Sequence, residues 1–220
     1  MENTFDLKKF LVENKLTSNS RLVEEASKEQ VEKQVFDFIN TPEVGALVDK
    51  AIAKLDPKAK QQVASKLQAI AEGASDDFAQ SKKFAEKGLQ IVQQDSSLDE
   101  MSAEDQAEWQ KRSAAMDRWA AEHDFGHGVP AAFIKTLGKV LDNLGVINMM
   151  SMGMLPAIAA AASDYFAGTN IIPAAAALIG SGTVAAGLSV VAGLVGGMLL
   201  WRIGKALQGE EVTGSTPLFQ

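Results

Sequence analysis

The sequence contains no cysteine, only two histidines and few aromatic residues, which make up 6% of the chain. Without cysteine the chain can form no disulfide, no cysteine-ligated zinc site, no iron–sulfur cluster and no thiol nucleophile, although the redox compartment stays open. The first half is instead rich in Ala, Lys, Gln and Glu, which are strong helix formers. This composition predicts an all-α protein.

Charge is missing from the C-terminal third. Between Asn143 and Trp201 the only titratable side chains are Asp164 and Tyr165. The chain as a whole carries a net charge of −7, which argues against a general nucleic-acid binder and provides no electrostatic attraction to anionic lipid. The shift in composition predicts a polar, acidic helical region, a linker with an amphipathic helix, a hydrophobic helical hairpin and a polar tail, over residues 1–124, 125–143, 144–208 and 209–220.

Helix starts in the polar region are marked by two pairs of a capping residue and a proline. Thr41-Pro42 and Asp56-Pro57 fit this pattern, because proline lacks the N–H that the first helical turn leaves unpaired anyway. Residues 17–20 look like a turn, with Ser20 as an N-cap. Together with apolar residues at helical spacing, these signals predict helices over residues 3–14, 21–40, 42–55, 57–72, 75–94, 102–122 and 129–144.

The apolar region predicts a hairpin of two uncharged arms. Residues 144–163 and 171–201 are each long enough to span the hydrocarbon core of a bilayer, and residues 164–170 form a turn between them. The sequence Gly-Ser-Gly at 180–182 divides the second arm. Amphipathic helices therefore precede a hairpin that is apolar enough to enter a membrane.

Several residues of the second arm favour membrane contact or close helix packing. Gly193 and Gly197 form a GxxxG motif, which lets helix backbones approach closely. Trp201 ends the uncharged run and Arg202 and Lys205 follow it, which is the order of an interfacial aromatic residue and its basic anchors. We therefore expect these five residues to mediate lipid contact or helix packing.

Asp164 is the only charged residue of the long apolar region. A carboxylate inside lipid is energetically costly and usually functional, whereas at the tip of a hairpin it is merely hydrated. The neighbouring Gly168, Thr169 and Asn170 favour the hydrated tip. Both arms are rich in Ala and Gly, so the hairpin also fits the buried core of a soluble protein. A hairpin that is first buried in a soluble form and later inserts into a membrane satisfies both interpretations.

Residues with catalytic or metal-binding chemistry are sparse. His123 and His127 are four residues apart, but Gly126 and Gly128 predict a helix end there, and no third strong ligand is adjacent. Trp109 and Trp119 fit the packed side of a helix. We expect no metal, no cofactor and no enzymatic activity.

The run FDLKKFLVENKLTSNSR, from Phe5 to Arg21, resembles a leader of tailed-bacteriophage proteins, several of which are virion components. The organisation of the whole chain is similar to that of pore-forming colicins, in which amphipathic helices surround a C-terminal hydrophobic hairpin. The resemblance implies a virion-associated protein, located in the virion or in the host membrane after delivery. Membrane lipid or other virion subunits are then the expected partners, with homo-oligomerisation, and the alternative is a soluble helical structural protein of a particle.

Overall fold

The computed structural model describes residues 16–94, 131–142 and 154–209, and the single positions Ala107 and Ala114. Within these residues there are eight helices and no strand, so the prediction of an all-α fold is confirmed. The helices are α1 (Leu16–Ile39), α2 (Pro42–Ala53), α3 (Pro57–Ala71), α4 (Asp77–Gln94), α5 (Ala131–Asp142), α6 (Met154–Phe166), α7 (Ile171–Leu178) and α8 (Val184–Leu207).

The helix starts in the polar region follow the predicted capping residues. The Thr41 hydroxyl accepts the N–H of Val44 at 3.5 Å, and the Asp56 carboxylate accepts the N–H of Ala59 at 2.8 Å. Proline occupies the first helical position in both α2 and α3. Local sequence chemistry therefore fixes where these two helices begin.

The predicted turn at residues 17–20 is wrong, because α1 already begins at Leu16. Ser, Thr and Asn lower helix propensity by only a few tenths of a kcal/mol each, and the stretch contains neither Gly nor Pro. The helix predicted at 3–14, that predicted at 102–122 except for Ala107 and Ala114, the two histidines, Trp109, Trp119 and most of the phage-like leader lie outside the described residues.

The described part of the apolar region, from residue 154 onward, folds into three helices. The predicted turn is present but begins later, at residue 167, because α6 continues through Phe166. Gly168 adopts a φ of 76° in this turn, a conformation that favours glycine. The second arm is divided where the Gly-Ser-Gly sequence indicates, with Gly180 at a φ of 66° between α7 and α8.

Helix α8 lies at the centre of the fold. It packs against α4, α5 and α7 most extensively, and also against α1, α2 and α3. From Val190 to Ile203 every residue of α8 is buried. The hydrophobic core is one continuous cluster, to which helices on both sides of residues 125–143 contribute.

Candidate membrane-spanning helix

Helix α8 is long and apolar enough to cross a bilayer. It has 24 residues, an 18-residue stretch of it has a mean hydropathy of 2.0, and among the described residues it is the one helix that meets both requirements. At about 1.5 Å per residue it extends for about 36 Å, compared with a hydrocarbon core of about 30 Å. Most of it is buried by the other helices, as the core helix of a soluble protein also is.

The GxxxG motif of α8 packs against α4 within the same chain. A Cβ atom on Gly197 would overlap the carbonyl oxygen of Phe84 and lie 2.8 Å from the Cα of Ala85. A Cβ atom on Gly193 would lie 3.0 Å from a methyl group of Val92. The two glycines therefore allow the backbones of α4 and α8 to touch.

Helix α4 contributes a matching glycine, which sequence reasoning missed. A Cβ atom on Gly88 would overlap the carbonyl oxygen of Gly193 and lie 2.9 Å from the backbone nitrogen of Gly197. Glycine inside a helix reduces stability by about 1 kcal/mol relative to alanine, so its presence there signals a packing requirement. That signal could have identified Gly88 as the partner of the motif.

Glycines on other faces of α8 admit other helices. A Cβ atom on Gly187 would overlap the carbonyl oxygen of Ile172 in α7. A Cβ atom on Gly196 would lie 2.7 Å from the Cβ of Val140 in α5. Helix α8 is thus closely surrounded on several sides, which explains how so apolar a helix is kept from water.

Trp201 is buried, with 4% of its surface exposed, and its ring packs against Phe36 of α1 at a centroid distance of 5.3 Å. Its indole nitrogen has no hydrogen-bond acceptor among the described residues. A buried N–H without an acceptor reduces stability by about 1 to 3 kcal/mol. The described helices therefore accommodate the apolar ring of Trp201 but offer its indole N–H no acceptor.

Arg202 is also buried, with 6% of its surface exposed. Its guanidinium donates to the carbonyl oxygen of Ile39 at 2.8 Å and to the side-chain oxygen of Asn40 at 3.2 Å, at the C-terminal end of α1. A cation there is favourable, because helix C-termini carry partial negative charge. Gly45 of α2 makes room, since a Cβ atom there would overlap the guanidinium.

Lys205, the last predicted anchor, reaches across to α4. Its ammonium nitrogen lies 2.6 Å from a carboxylate oxygen of Asp77, and the lysine side chain is 11% exposed. The described structure thus directs Arg202 towards α1 and Lys205 towards α4. The lipid-anchor role predicted for Trp201, Arg202 and Lys205 concerns a bilayer-bound form and stays a prediction.

Asp164 is exposed in the last turn of α6. The adjacent Tyr165 and Phe166 pack against Phe38 of α1, with ring centroids at 5.4 and 5.2 Å. The carboxylate therefore precedes the turn that was predicted to contain it. It lies on the surface of the bundle and not within the core.

The described side chains form no cluster of three or more His, Asp or Glu residues that would suit a metal ion. Comparison with known proteins gives no match to a protein family, to a curated protein or to a solved structure.

Proposed function

We propose that this chain is a non-enzymatic, membrane-interacting protein that stores α8 inside a shell of amphipathic helices and releases it into a bilayer. The observation that carries the proposal is α8 itself: a 24-residue helix, apolar and of spanning length, that packs against six of the other described helices. Storage solves a solubility problem, because an exposed helix of this composition would aggregate in water.

The polar atoms at the end of α8 support release. The indole N–H of Trp201 lacks an acceptor in the described bundle, whereas the interface of a bilayer offers water and lipid headgroups as acceptors. Arg202 and Lys205 would lie beside the same interface, at the end of the apolar run. Transfer to lipid would therefore satisfy a polar group that the bundle leaves unpaired.

The resemblance of residues 5–21 to a leader of tailed-phage proteins supports a role in a virion for this membrane-interacting protein. We propose a component of a tailed-phage virion that acts during genome ejection, located in the virion and, after delivery, in the host membrane. Its partners would be membrane lipid and other virion subunits. Homo-oligomerisation would follow insertion, because the GxxxG face of α8 becomes available when α4 no longer covers it.

A second candidate is a soluble structural protein of a virion or particle. The glycine contacts of α8 favour this alternative, since Gly88, Gly193 and Gly197 form a close, specific contact of the kind found in permanent cores. In that case α8 never leaves the bundle. The two candidates differ in whether α4 and α8 must separate for the protein to work.

An engineered disulfide between α4 and α8 tests that separation. The chain has no cysteine of its own, so Val92→Cys with Gly193→Cys introduces a single possible bridge. A Cβ atom at residue 193 lies 3.0 Å from a γ-methyl of Val92, and a disulfide places Cβ about 3 Å from the sulfur of the other cysteine. The two single-cysteine variants are the matched controls.

We expect the wild type and both single variants to float with phospholipid vesicles and to release an entrapped dye. The oxidised double variant should stay in solution, and reduction should restore its activity. Wild-type protein that stays monomeric in buffer and never associates with vesicles at any pH would overturn the membrane proposal. An oxidised variant as active as the wild type would overturn release of α8 from α4.

A further inference from the structure

The turn between α7 and α8 forms an uncharged apolar tip, which we define as residues 177–185. Ile179 is 44% exposed and Val184 is 65% exposed, the highest value among the large apolar side chains described. Along the chain the nearest charged residues are Asp164 and Arg202, far outside the tip. The tip therefore presents two exposed apolar side chains and has no charged residue near it in the sequence.

Several polar groups of the tip have local hydrogen-bond partners. The hydroxyls of Ser181 and Thr183 lie 3.1 Å apart, and the Thr183 hydroxyl also accepts the N–H of Ala186 at 3.3 Å. The N–H groups of Ser181 and Gly180 donate to carbonyl oxygens of α7, each at 3.0 Å. Hydrogen bonds of this kind reduce the free-energy cost of transferring backbone and hydroxyl groups into lipid.

The tip lies at the opposite end of α8 from the basic residues. Val184 begins the helix and Arg202 follows 18 positions later, which corresponds to about 27 Å along the axis. That separation is close to the thickness of the hydrocarbon core, about 30 Å. Moving Arg202 or Lys205 through this core would be costly, whereas no charge has to cross if the tip leads.

We propose that the tip enters the bilayer first and draws α8 across with its N-terminus leading, while Arg202 and Lys205 remain on the side of approach. This inference rests on the proposed membrane function and specifies the surface that meets the lipid. The occupant is a phospholipid bilayer, because the tip is continuous in sequence with a helix of spanning length and carries no charged side chain with which to bind a polar partner.

The first test introduces a charged residue at the tip and, as a matched control, the same residue at an equally exposed position outside the tip. Ile179 and Phe78 are both 44% exposed, and Phe78 follows Asp77, which binds Lys205 at the other end of α8. Arginine stays charged at every pH, and any attraction of the added charge to the vesicle surface is shared by Ile179→Arg and Phe78→Arg. Ile179→Arg should slow dye release from phosphatidylcholine–phosphatidylglycerol vesicles by about tenfold or more, and Phe78→Arg should leave it unchanged.

A fluorescent label reports the position of the tip directly. Val184→Cys and Phe78→Cys each provide one attachment point for an environment-sensitive fluorophore, because the chain has no other cysteine. With vesicles, the label at residue 184 should shift to shorter wavelength and be quenched by quenchers placed within the lipid tails. The label at residue 78 should remain in a polar environment.

The outcomes separate this inference from the proposed function. If the wild type binds vesicles but the label at residue 184 stays in water, the tip does not enter the bilayer first, although membrane binding is retained. Equal dye release by Ile179→Arg and the wild type would likewise contradict entry of the tip first. If the wild type does not bind vesicles at all, the proposed membrane function is wrong. If circular dichroism shows that Ile179→Arg does not fold, the fluorescent label at residue 184 tests whether the tip enters first.

Discussion

Replacement of Gly197 by alanine tests how closely α4 and α8 approach. The new Cβ atom would overlap the Phe84 carbonyl oxygen and lie 2.8 Å from the Cα of Ala85, both backbone atoms of α4. Ordinary contacts between carbon atoms lie at about 3.5 to 4.0 Å. Since no side chain can rotate away, the two helices have to move apart by about 1 Å.

The expected magnitude combines two opposing effects. Alanine inside a helix is about 1 kcal/mol more favourable than glycine, whereas overpacking a core reduces stability by about 1 to 3 kcal/mol or more. A radial gap of about 1 Å also loses up to half of the dispersion energy of each contact across the interface. We expect Gly197→Ala to lower the free energy of unfolding by about 2 to 4 kcal/mol, or the melting temperature by about 5 to 15 °C.

Gly204 provides the matched control in the same helix. A Cβ atom there would meet Leu67 side-chain atoms at 3.6 and 3.9 Å, which are ordinary contacts. Gly204→Ala should therefore raise the free energy of unfolding by about 1 kcal/mol through helix propensity alone. Thermal and denaturant unfolding of both variants measure the difference, and stabilisation by both substitutions would refute the close contact between α4 and α8.

Four further predictions concern the buried arginine, Glu32 and the pH dependence of vesicle binding. Arg202→Ala should lower the free energy of unfolding by about 2 to 4 kcal/mol, because the Ile39 carbonyl loses a charged donor and a cavity remains; an unchanged denaturation midpoint would contradict this. Gly45→Ala should destabilise the protein only while Arg202 is present, which a double-mutant cycle with Arg202→Ala measures. Equal effects of Gly45→Ala with Arg202 and with Ala at position 202 would contradict the overlap of a residue-45 Cβ atom with the guanidinium. Burial raises the pKa of Glu32 above 4.5 although Lys28 lowers it, so the ionised carboxylate disfavours folding at neutral pH. Glu32→Gln should therefore raise the melting temperature at neutral pH, and this gain should shrink as the pH falls through the raised pKa and vanish below 4.5; a gain that persists in acid would contradict the assignment. Binding to anionic vesicles should increase as the pH falls below the sequence pI of about 4.9, because protonated carboxylates no longer repel the lipid; flotation across a pH series measures this, and binding independent of pH would contradict it.

The sequence predicts helix positions well where capping chemistry is local. Thr41 and Asp56 mark the starts of α2 and α3 because their side chains bond to N–H groups only three residues away. The break at Gly180 is predictable for a similar reason, since positive φ favours glycine. The turn at residues 17–20 fails because Ser, Thr and Asn only weakly oppose a helix.

The tertiary partners of α8 could not be predicted, because they depend on contacts distant in sequence. Arg202 after an apolar run has the same pattern whether the helix end meets a membrane surface or the carbonyls of another helix. Its acceptor on Ile39 is 163 residues away. The GxxxG motif likewise indicates close packing but names no partner, and only the structure brings Gly88 against it.

Bundle stability and membrane insertion should oppose each other if α8 is the part that inserts. Every contact that holds α8 in the bundle has to be broken before α8 enters lipid, so weakening such a contact favours insertion by the same free energy. A loss of about 2 kcal/mol for Gly197→Ala corresponds to about thirtyfold stronger vesicle binding, whereas Gly204→Ala should leave vesicle binding nearly unchanged, because α8 keeps its gain in helix propensity when it enters lipid. In a purely structural protein the destabilised variant would instead aggregate, with no gain in vesicle affinity. Gly197→Ala therefore lowers stability and raises vesicle affinity, against the Gly204→Ala control, only if the stored helix is also the one that reaches the membrane.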